Sequence, residues 1–259
     1  MDELSSLIGT YGSISLGEMD SIRLMNRVDT KFVTTVEVLL RVLQSAKSLY
    51  RALDAGHGKI SPYNSIYFDT PSRDMYLRHH DKRLVRRKVR TRVYLSSMDT
   101  YLEIKRKNNT GRTKKKRMPV CPEALMDFSV AEGSGDFIRK WTEYDPGTLA
   151  PKTETRFDRI TLVDNALTER ITIDLNLVFA SLCNGRRISL GNAVIIELKQ
   201  SGHAPSEIRK ILLRERVHPF RVSKYCIATA LTEPCVKANR FKLKLRQIEK
   251  ITGNKPVEL

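Results

Sequence analysis

Apolar and charged residues trade places at every second position through much of this chain, most clearly over residues 88–107. Two strands are predicted there, 88–95 and 101–107, joined through Ser96, Ser97, Met98 and Asp99. Successive side chains on a strand point to opposite faces, so Lys88, Arg90, Arg92 and Tyr94 share one side and Val89, Thr91, Val93 and Leu95 the other. The second strand groups Glu103, Lys105 and Lys107. The period recurs at 26–33, with Arg27, Asp29 and Lys31 on one face, and strands are also predicted at 63–69, 112–120 and 153–163. At 193–200 Ile195, Glu197 and Lys199 share a face. The cleanest alternation is 170–179, where Ile171, Ile173, Leu175, Leu177 and Phe179 form an uninterrupted apolar face opposite Arg170, Thr172, Asp174 and Asn176.

Helical spacing fills the intervals. Val36, Leu39, Leu40 and Leu43 follow a capping box of Thr34 and Glu37. Pro71 suits the first turn of a short helix carrying Met75, Tyr76 and Leu77, with His79 and His80 as its solvated C-terminal cap. Residues 122–145 are predicted helical, packing through Leu125, Phe128, Phe137, Ile138, Trp141 and Tyr144. Pro205 opens another helix with Ile208, Ile211 and Leu212, and 225–231 forms a last packed one. From Lys237 onward Phe241, Leu245 and Ile248 align among Lys242, Lys244, Arg246 and Lys250, a basic helix expected to dock or fray at the terminus. This divides the chain into a helix and connector (1–25), a main domain (26–235) and a basic tail (236–259).

The pattern predicts an α+β protein. One economical form is an antiparallel β-barrel with a charged interior and helices packed outside. An open sheet with helices on one side and water on the other accounts for alternation alone more simply. Two features turn the reading to the barrel. Arg and Lys dominate the charged faces in register, and carboxylates stand singly among them at Asp29, Glu103, Asp174 and Glu197. A nucleic-acid surface gains nothing from carboxylates that repel phosphate, whereas a phosphate site served by a divalent metal needs hard oxygen ligands. The combination points to a metal-bound polyphosphate chain.

Composition agrees without choosing. Lys and Arg number 46 against 29 Asp and Glu, a formal charge of +17 that calls for an acidic partner. The run Lys114, Lys115, Lys116, Arg117 looks like a nucleic-acid patch, but period 2 directs only Lys115 and Arg117 to the charged face. Cys121, Cys183, Cys226 and Cys235 have no metal-ligand or redox spacing and read as reduced thiols. No signal peptide is evident, and no segment approaches the roughly 20 apolar residues that span a bilayer. The expected location is cytoplasmic or peripheral at a membrane.

With those residues in view, the sequence resembles the VTC domain, the polyphosphate polymerase family named after the vacuolar transporter chaperone complex, within the CYTH-like triphosphate tunnel metalloenzymes. The motifs are Arg27-x-Asp29-x-Lys31, Tyr67-Phe68-Asp69-Thr70, Arg90-x-Arg92, Glu103-Ile104-Lys105, Lys115-x-Arg117, Arg159, Arg170-Ile171-Thr172-x-Asp174, Glu197-x-Lys199 and Ser223-Lys224-Tyr225. Their order and spacing are specific where each alone is weak. The resemblance implies transfer of the γ-phosphoryl of ATP to a growing polyphosphate chain. It makes Lys31, Arg90, Arg92, Lys105, Lys115, Arg159 and Lys224 catalytic, and Arg27, Arg117, Arg170, Lys199, Arg221 and Ser223 substrate-binding. Mn2+ or Mg2+ would be held by Glu197, then Glu103 and Asp174. ATP and polyphosphate are the implied partners, with a membrane protein as a further one and no nucleic acid. Two positions depart from the family: Phe157 stands where Tyr is common, and Arg221 where Lys is common.

Two rival readings remain at this stage. Tripolyphosphatases and thiamine triphosphatases of the same fold open with Glu-x-Glu-x-Lys, and the guanidinium of Arg27 in place of a carboxylate favours holding product over activating water. A non-catalytic binder of RNA or polyphosphate is disfavoured by the interleaved carboxylates and the scarcity of paired exposed aromatics.

Overall fold

A computed structural model of the chain describes residues 2–20, 27–202 and 204–259. The expected strand start at residue 26 and the side chain of Arg27 lie outside the described residues. α1 (Asp2–Gly9), β1 (Gly12–Ile14) and α2 (Leu16–Asp20) precede β2 (Arg27–Thr35) and α3 (Val36–Ala46). Next come β3 (Tyr50–Leu53), β4 (Ile60–Asp69), α4 (Asp74–His80) and the meander β5 (Arg86–Tyr94), β6 (Thr100–Lys107) and β7 (Thr113–Val120). After α5 (Ser134–Trp141) the long hairpin of β8 (Ala150–Asp164) and β9 (Glu169–Ser181) leads to β10 (Arg187–Ser189) and β11 (Ala193–Ser201). The chain closes with α6 (Glu207–Arg214), α7 (Lys224–Thr232), α8 (Asn239–Thr252) and β12 (Val257–Glu258).

The strands that matter for function lie in the order β7, β6, β5, β4, β8, β9, β11, β2, each neighbouring pair antiparallel. Together they curl into a half-barrel. Among the described residues no ladder joins β7 to β2, so the expected barrel is open along one seam.

Two cores cover the convex face. α1, α3 and α6 pack on β2, β9 and β11 through residues such as Leu39, Leu43, Ile171, Ile173, Ile196 and Leu212. α5 and the turns before it cover β4 to β6 through Phe68, Val89, Leu102, Ile104, Phe128 and Ile138. Each such side chain contributes about 1.5–3 kcal/mol on burial, which makes these faces commit to the inside of the protein and leaves the charged faces to line the concavity.

Several boundaries shift for local reasons. β2 pairs with β11 as far as Thr35, so α3 starts one residue late and Thr35, not Thr34, caps it by accepting from the Val38 amide at 3.4 Å. Residues 122–145 are not one helix: Asp127 caps a single tight turn, Gly133 takes a left-handed φ of 74°, and only Ser134–Trp141 is α-helical. The six packing residues expected there all join the same core, Trp141 at its half-buried rim with the Lys116 ammonium 4.6 Å from its ring. Pro71 precedes α4 rather than opening it. The carboxylate of Asp69 accepts from the Met75 and Tyr76 amides, both at 3.0 Å, and so fixes where that helix begins. His80 is buried, not solvated, with Nδ1 2.8 Å from Asp81 and Nε2 2.7 Å from Asn239. α8 docks through Phe241 and Ile248, and β12 pairs with β10.

The alternation of β9 breaks at one residue. Asp158 faces Leu175, but Arg156 faces Val178, so one extra residue sits on β9. Asn176 adopts a left-handed φ of 53° and donates from Nδ2 to Asp158 Oδ2 at 2.7 Å. Leu177 and Phe179 therefore leave the face of Ile171, Ile173 and Leu175 and turn into the concavity, where they join Phe157, Tyr67 and Ile195 in seating α7 through Tyr225, Ile227 and Ala228. The single apolar face expected for this strand is two faces. Asn176→Val, which puts a β-branched residue in a left-handed conformation, is expected to cost about 2 kcal/mol, and Asn176→Gly less than half of that, both measured by urea denaturation.

Candidate active site

The antiparallel registers bring complementary charges together on the concave face. Arg90 stands opposite Glu103, Arg159 opposite Asp174, and Lys31 opposite Glu197. Each carboxylate is bracketed by two cations. Glu103 Oε2 accepts from Arg90 Nε at 2.7 Å and from its Nη2, while Oε1 pairs with Lys115. Asp174 receives a bidentate pair from Arg159, Nε at 2.6 Å and Nη2 at 2.9 Å, and a further contact from Lys224 at the start of α7. Glu197 contacts Lys31 through Oε1 and Lys199 at 3.1 Å through Oε2.

Cations still outnumber carboxylates, and their proton affinities register the excess. Lys105 has no ion pair among the described residues. Burial and then Arg90 hold its ammonium well below the usual lysine range, opposed by Glu197 and Glu103. That Lys105 on β6 feels Glu197 on β11 shows how far the sheet curls, since five strand pairings separate the two. Burial and then neighbouring Arg90 also lower Arg92, and burial lowers Lys115 and Lys224 despite their carboxylate partners. Lys199 is pushed down to about 8, chiefly by burial. Burial alone would raise Glu103 and Glu197, but Arg90, Arg92 and Lys115 around the first, and Lys199, Lys31 and Lys105 around the second, hold both well below the ordinary carboxylate range. Asp174 is lowered likewise by Arg159 and Lys224 against its burial.

An aromatic floor supports the arginines. Phe157 stacks on Tyr63 with centroids 5.5 Å apart. The Arg92 and Arg159 guanidinium carbons lie 5.3 and 5.0 Å from the Tyr63 ring, and Lys224 Nζ lies 4.6 Å from Phe157. Arg92 Nε also donates to Ser65 Oγ at 2.9 Å and Arg90 Nη1 to the Tyr67 hydroxyl at 2.9 Å.

The structure thus gathers Lys31, Arg90, Arg92, Lys105, Lys115, Arg159, Lys199 and Lys224 with Glu103, Asp174 and Glu197 on one concave face. Arg170 lies opposite Lys199 in the ladder. Ser223 caps α7, accepting from the Cys226 amide at 3.3 Å and from Lys88 Nζ at 2.7 Å. Arg117 is exposed at the rim, its guanidinium 4.9 Å from the Tyr101 ring, and Arg221 is exposed at the opposite mouth. Sequence reasoning passed over Lys88, Ser65 and Tyr67 as site residues. Their signal was present, since Lys88 shares the face of Arg90, and Ser65 and Tyr67 share the alternate positions of β4.

The carboxylates differ in access. The side chains of Glu103 and Asp174 are 0% and 2% exposed, that of Glu197 17%. Among the described residues no group of three or more ligand-type side chains could cage a metal. A single open carboxylate suits a hard divalent ion whose other ligands are phosphate oxygens and water.

A family model described as the VTC domain matches residues 26–233. The chain belongs to the VTC domain family. Its fold is the CYTH-like triphosphate tunnel fold. Among solved structures, this VTC domain protein is similar to HpAC1 from Hippeastrum, a candidate adenylyl cyclase described as having a dominant triphosphatase activity. The TM-score is 0.50 at 12% identity, over 80% of this chain and 96% of that one. A candidate adenylate cyclase from Vibrio parahaemolyticus aligns over 79% of this chain and 99% of its own, with a TM-score of 0.45 at 10% identity. No curated protein matches this sequence. Among the described residues no helix is long and apolar enough to cross a membrane.

Asp174→Asn strands Arg159 and Lys224 and is expected to lower unfolding free energy at neutral pH by about 3 kcal/mol. Because the folded-state pKa of Asp174 is depressed, its contribution is complete above the unfolded value of about 4 and is lost as pH falls below it. Urea denaturation of wild type and variant should therefore show a gap that narrows on acidification.

Proposed function

We propose that the protein is an ATP-dependent polyphosphate polymerase, transferring the γ-phosphoryl of ATP to the end of a polyphosphate chain lying on the concave cationic face. The observation that carries this reading is the bracketing of Glu103, Asp174 and Glu197 by cations. A carboxylate held between two cations and far below its ordinary pKa is a poor base for activating water. Polymerisation has no such need, because its nucleophile is an already ionised phosphate oxygen.

The chemistry left to the protein is positioning and charge neutralisation. Arg90, Arg92 and Arg159, each pinned by a carboxylate, a hydroxyl or an aromatic ring, offer planar donor pairs to phosphate oxygens. Lys31, Lys105, Lys115, Lys199 and Lys224 supply point charges that follow the negative charge as it moves from the γ-phosphorus to the β-phosphate of departing ADP. The bond from the γ-phosphorus to its bridging oxygen breaks, and one to the terminal oxygen of the chain forms. Phosphates that take over Lys31 and Lys199 release Glu197, which with them would hold Mn2+ or Mg2+. That ion would supply further neutralisation of the phosphates. Glu103 and Asp174, sealed from solvent, act as struts for their arginines. Arg117, Arg170, Arg221 and Ser223 extend substrate contacts toward the two mouths. The triphosphatase activity described for HpAC1 supports hydrolysis of a triphosphate as the second reading.

Incubation with ATP and Mn2+, with products resolved by length, is expected to yield long chains. Free phosphate alone would establish the hydrolase instead, and unchanged ATP a binder. Glu197→Gln should abolish activity and Lys31→Ala should reduce it, each by about 100-fold or more; full turnover in the first variant would remove the metal assignment. Lys199, depressed to about 8, and Lys105, also depressed, regain protons when a polyanion binds. Tripolyphosphate binding at about pH 9 should take up protons, measured as a dependence of binding heat on buffer ionisation enthalpy. Lys199→Arg should diminish that uptake.

A further inference from the structure

The concave face uses only half of the basic run on β7. Lys115 points inward to Glu103, whereas Lys114 and Lys116 stand opposite Arg106 and Ile104 in the ladder and so belong to the convex face, beside the core under α5. There they border a cavity of about 180 Å³, lined by Ile104 and the Trp141 indole and by the cations Arg106, Arg112, Lys114 and Lys116. Among the described residues no carboxylate lines it. The Lys116 ammonium lies 4.6 Å from the Trp141 ring, and Lys140 of α5 adds a fifth cation at 5.9 Å from the same ring.

Register concentrates this charge. Arg87, Arg106 and Lys114 form one row across β5, β6 and β7, and like charges directly opposite one another destabilise a sheet. Glu143 answers only the first of them, 3.1 Å from Arg87 Nε. Among the described residues Arg106, Arg112, Lys114, Lys116 and Lys140 make no salt bridge. The turn carrying Arg112 is held in place, since Asn108 Oδ1 accepts from the Arg112 amide at 2.9 Å and the Asn108 amide donates to the Arg112 carbonyl at 3.0 Å. A merely solvated face spreads its cations into water; these converge on a concavity with an apolar lining, where a bound anion relieves their repulsion. Volume limits that anion. Pockets for drug-sized ligands begin at roughly 300 Å³, so the occupant here is a compact group. Arg106 and Arg112 offer planar donor pairs, and Lys114 and Lys116 point charges, the set that phosphate oxygens accept from.

We propose that this cavity is a separate phosphate site on the outside of the half-barrel, back to back with the concave face, which takes a compact phosphate group of the size of inorganic pyrophosphate. Lys116 leaves the indole to meet the phosphate, so occupancy changes the surroundings of Trp141, the only tryptophan of the chain. The site does not depend on which reaction the concave face performs.

Pyrophosphate titrated without metal, with Trp141 emission as the readout and sodium chloride at matched ionic strength as the blank, tests this on wild type, Arg106→Ala/Lys114→Ala and Lys31→Ala. Wild type should give a saturable change that chloride does not reproduce. The double variant should weaken it about tenfold, and Lys31→Ala, which alters the concave face alone, should keep it within about twofold. Lys114→Gln, a single exposed change that leaves folding intact, should weaken it about threefold. No saturable change, a change equalled by chloride, or a loss in Lys31→Ala as large as in the double variant overturns the proposal. Phosphatidylcholine vesicles containing phosphatidic acid identify the source of the phosphate: sedimentation with them that the double variant abolishes assigns a lipid headgroup, and pyrophosphate binding without it a soluble phosphate. Single-stranded RNA that binds more tightly than pyrophosphate, with the same dependence on Arg106 and Lys114, would overturn the site in favour of a nucleic-acid surface.

Discussion

Cations crowded onto one concave face, in a protein interior that screens them poorly, are the constraint that shapes this molecule. Uncompensated, Arg90, Arg92, Lys105, Lys115, Arg159, Lys199 and Lys224 would repel one another strongly enough to open the sheet. Three carboxylates, Glu103, Asp174 and Glu197, offset part of that cost, each placed between two cations drawn from its own strand, from neighbouring strands or from α7. The same contacts lock the arginine planes in position before any substrate arrives. Stability and preorganisation are therefore one set of interactions, and the residual positive charge is left for an anion to neutralise.

The apolar cores serve this arrangement from behind. Helices on the convex side bury one face of each strand, and that burial obliges the other face to look inward. α7 enters at the end of the concavity, where Tyr225 stacks on Tyr67 at 4.9 Å and reaches Asp69 at 2.5 Å. The helix that closes the site is thus anchored by the carboxylate that also starts α4.

Much of this was legible from period 2 alone. The faces of Lys88, Arg90 and Arg92, of Glu103 and Lys105, and of Glu197 and Lys199 follow directly from alternation, whereas the expectation of a closed sheet came from the carboxylates set singly among those cations. What alternation could not convey was long-range: the electrostatic influence of Glu197 on Lys105 across the half-barrel depends on the curl, and the burial of His80 depends on α8 returning to cover it. Local breaks were hidden for a different reason. Residues 122–145 carry a helical spacing of apolar residues, yet Gly133 and the Asp127 turn bend the chain so that those residues meet a single core from separate short elements. Among site residues, Ser65 and Tyr67 were hard to single out because neutral hydroxyls acquire their role only when an arginine on the next strand needs a partner.

Asn176 has a consequence that reaches beyond its own turn. Ahead of it, β9 gives the concavity Thr172 and Asp174; after it, the same strand gives Leu177 and Phe179. The extra residue works as a watershed, with polar and ionic groups on one side and hydrocarbon on the other. It fixes how far along that strand the charged lining runs before it gives way to a dry wall. Shifting the bulge by one ladder step would relocate that boundary without altering a single charged residue.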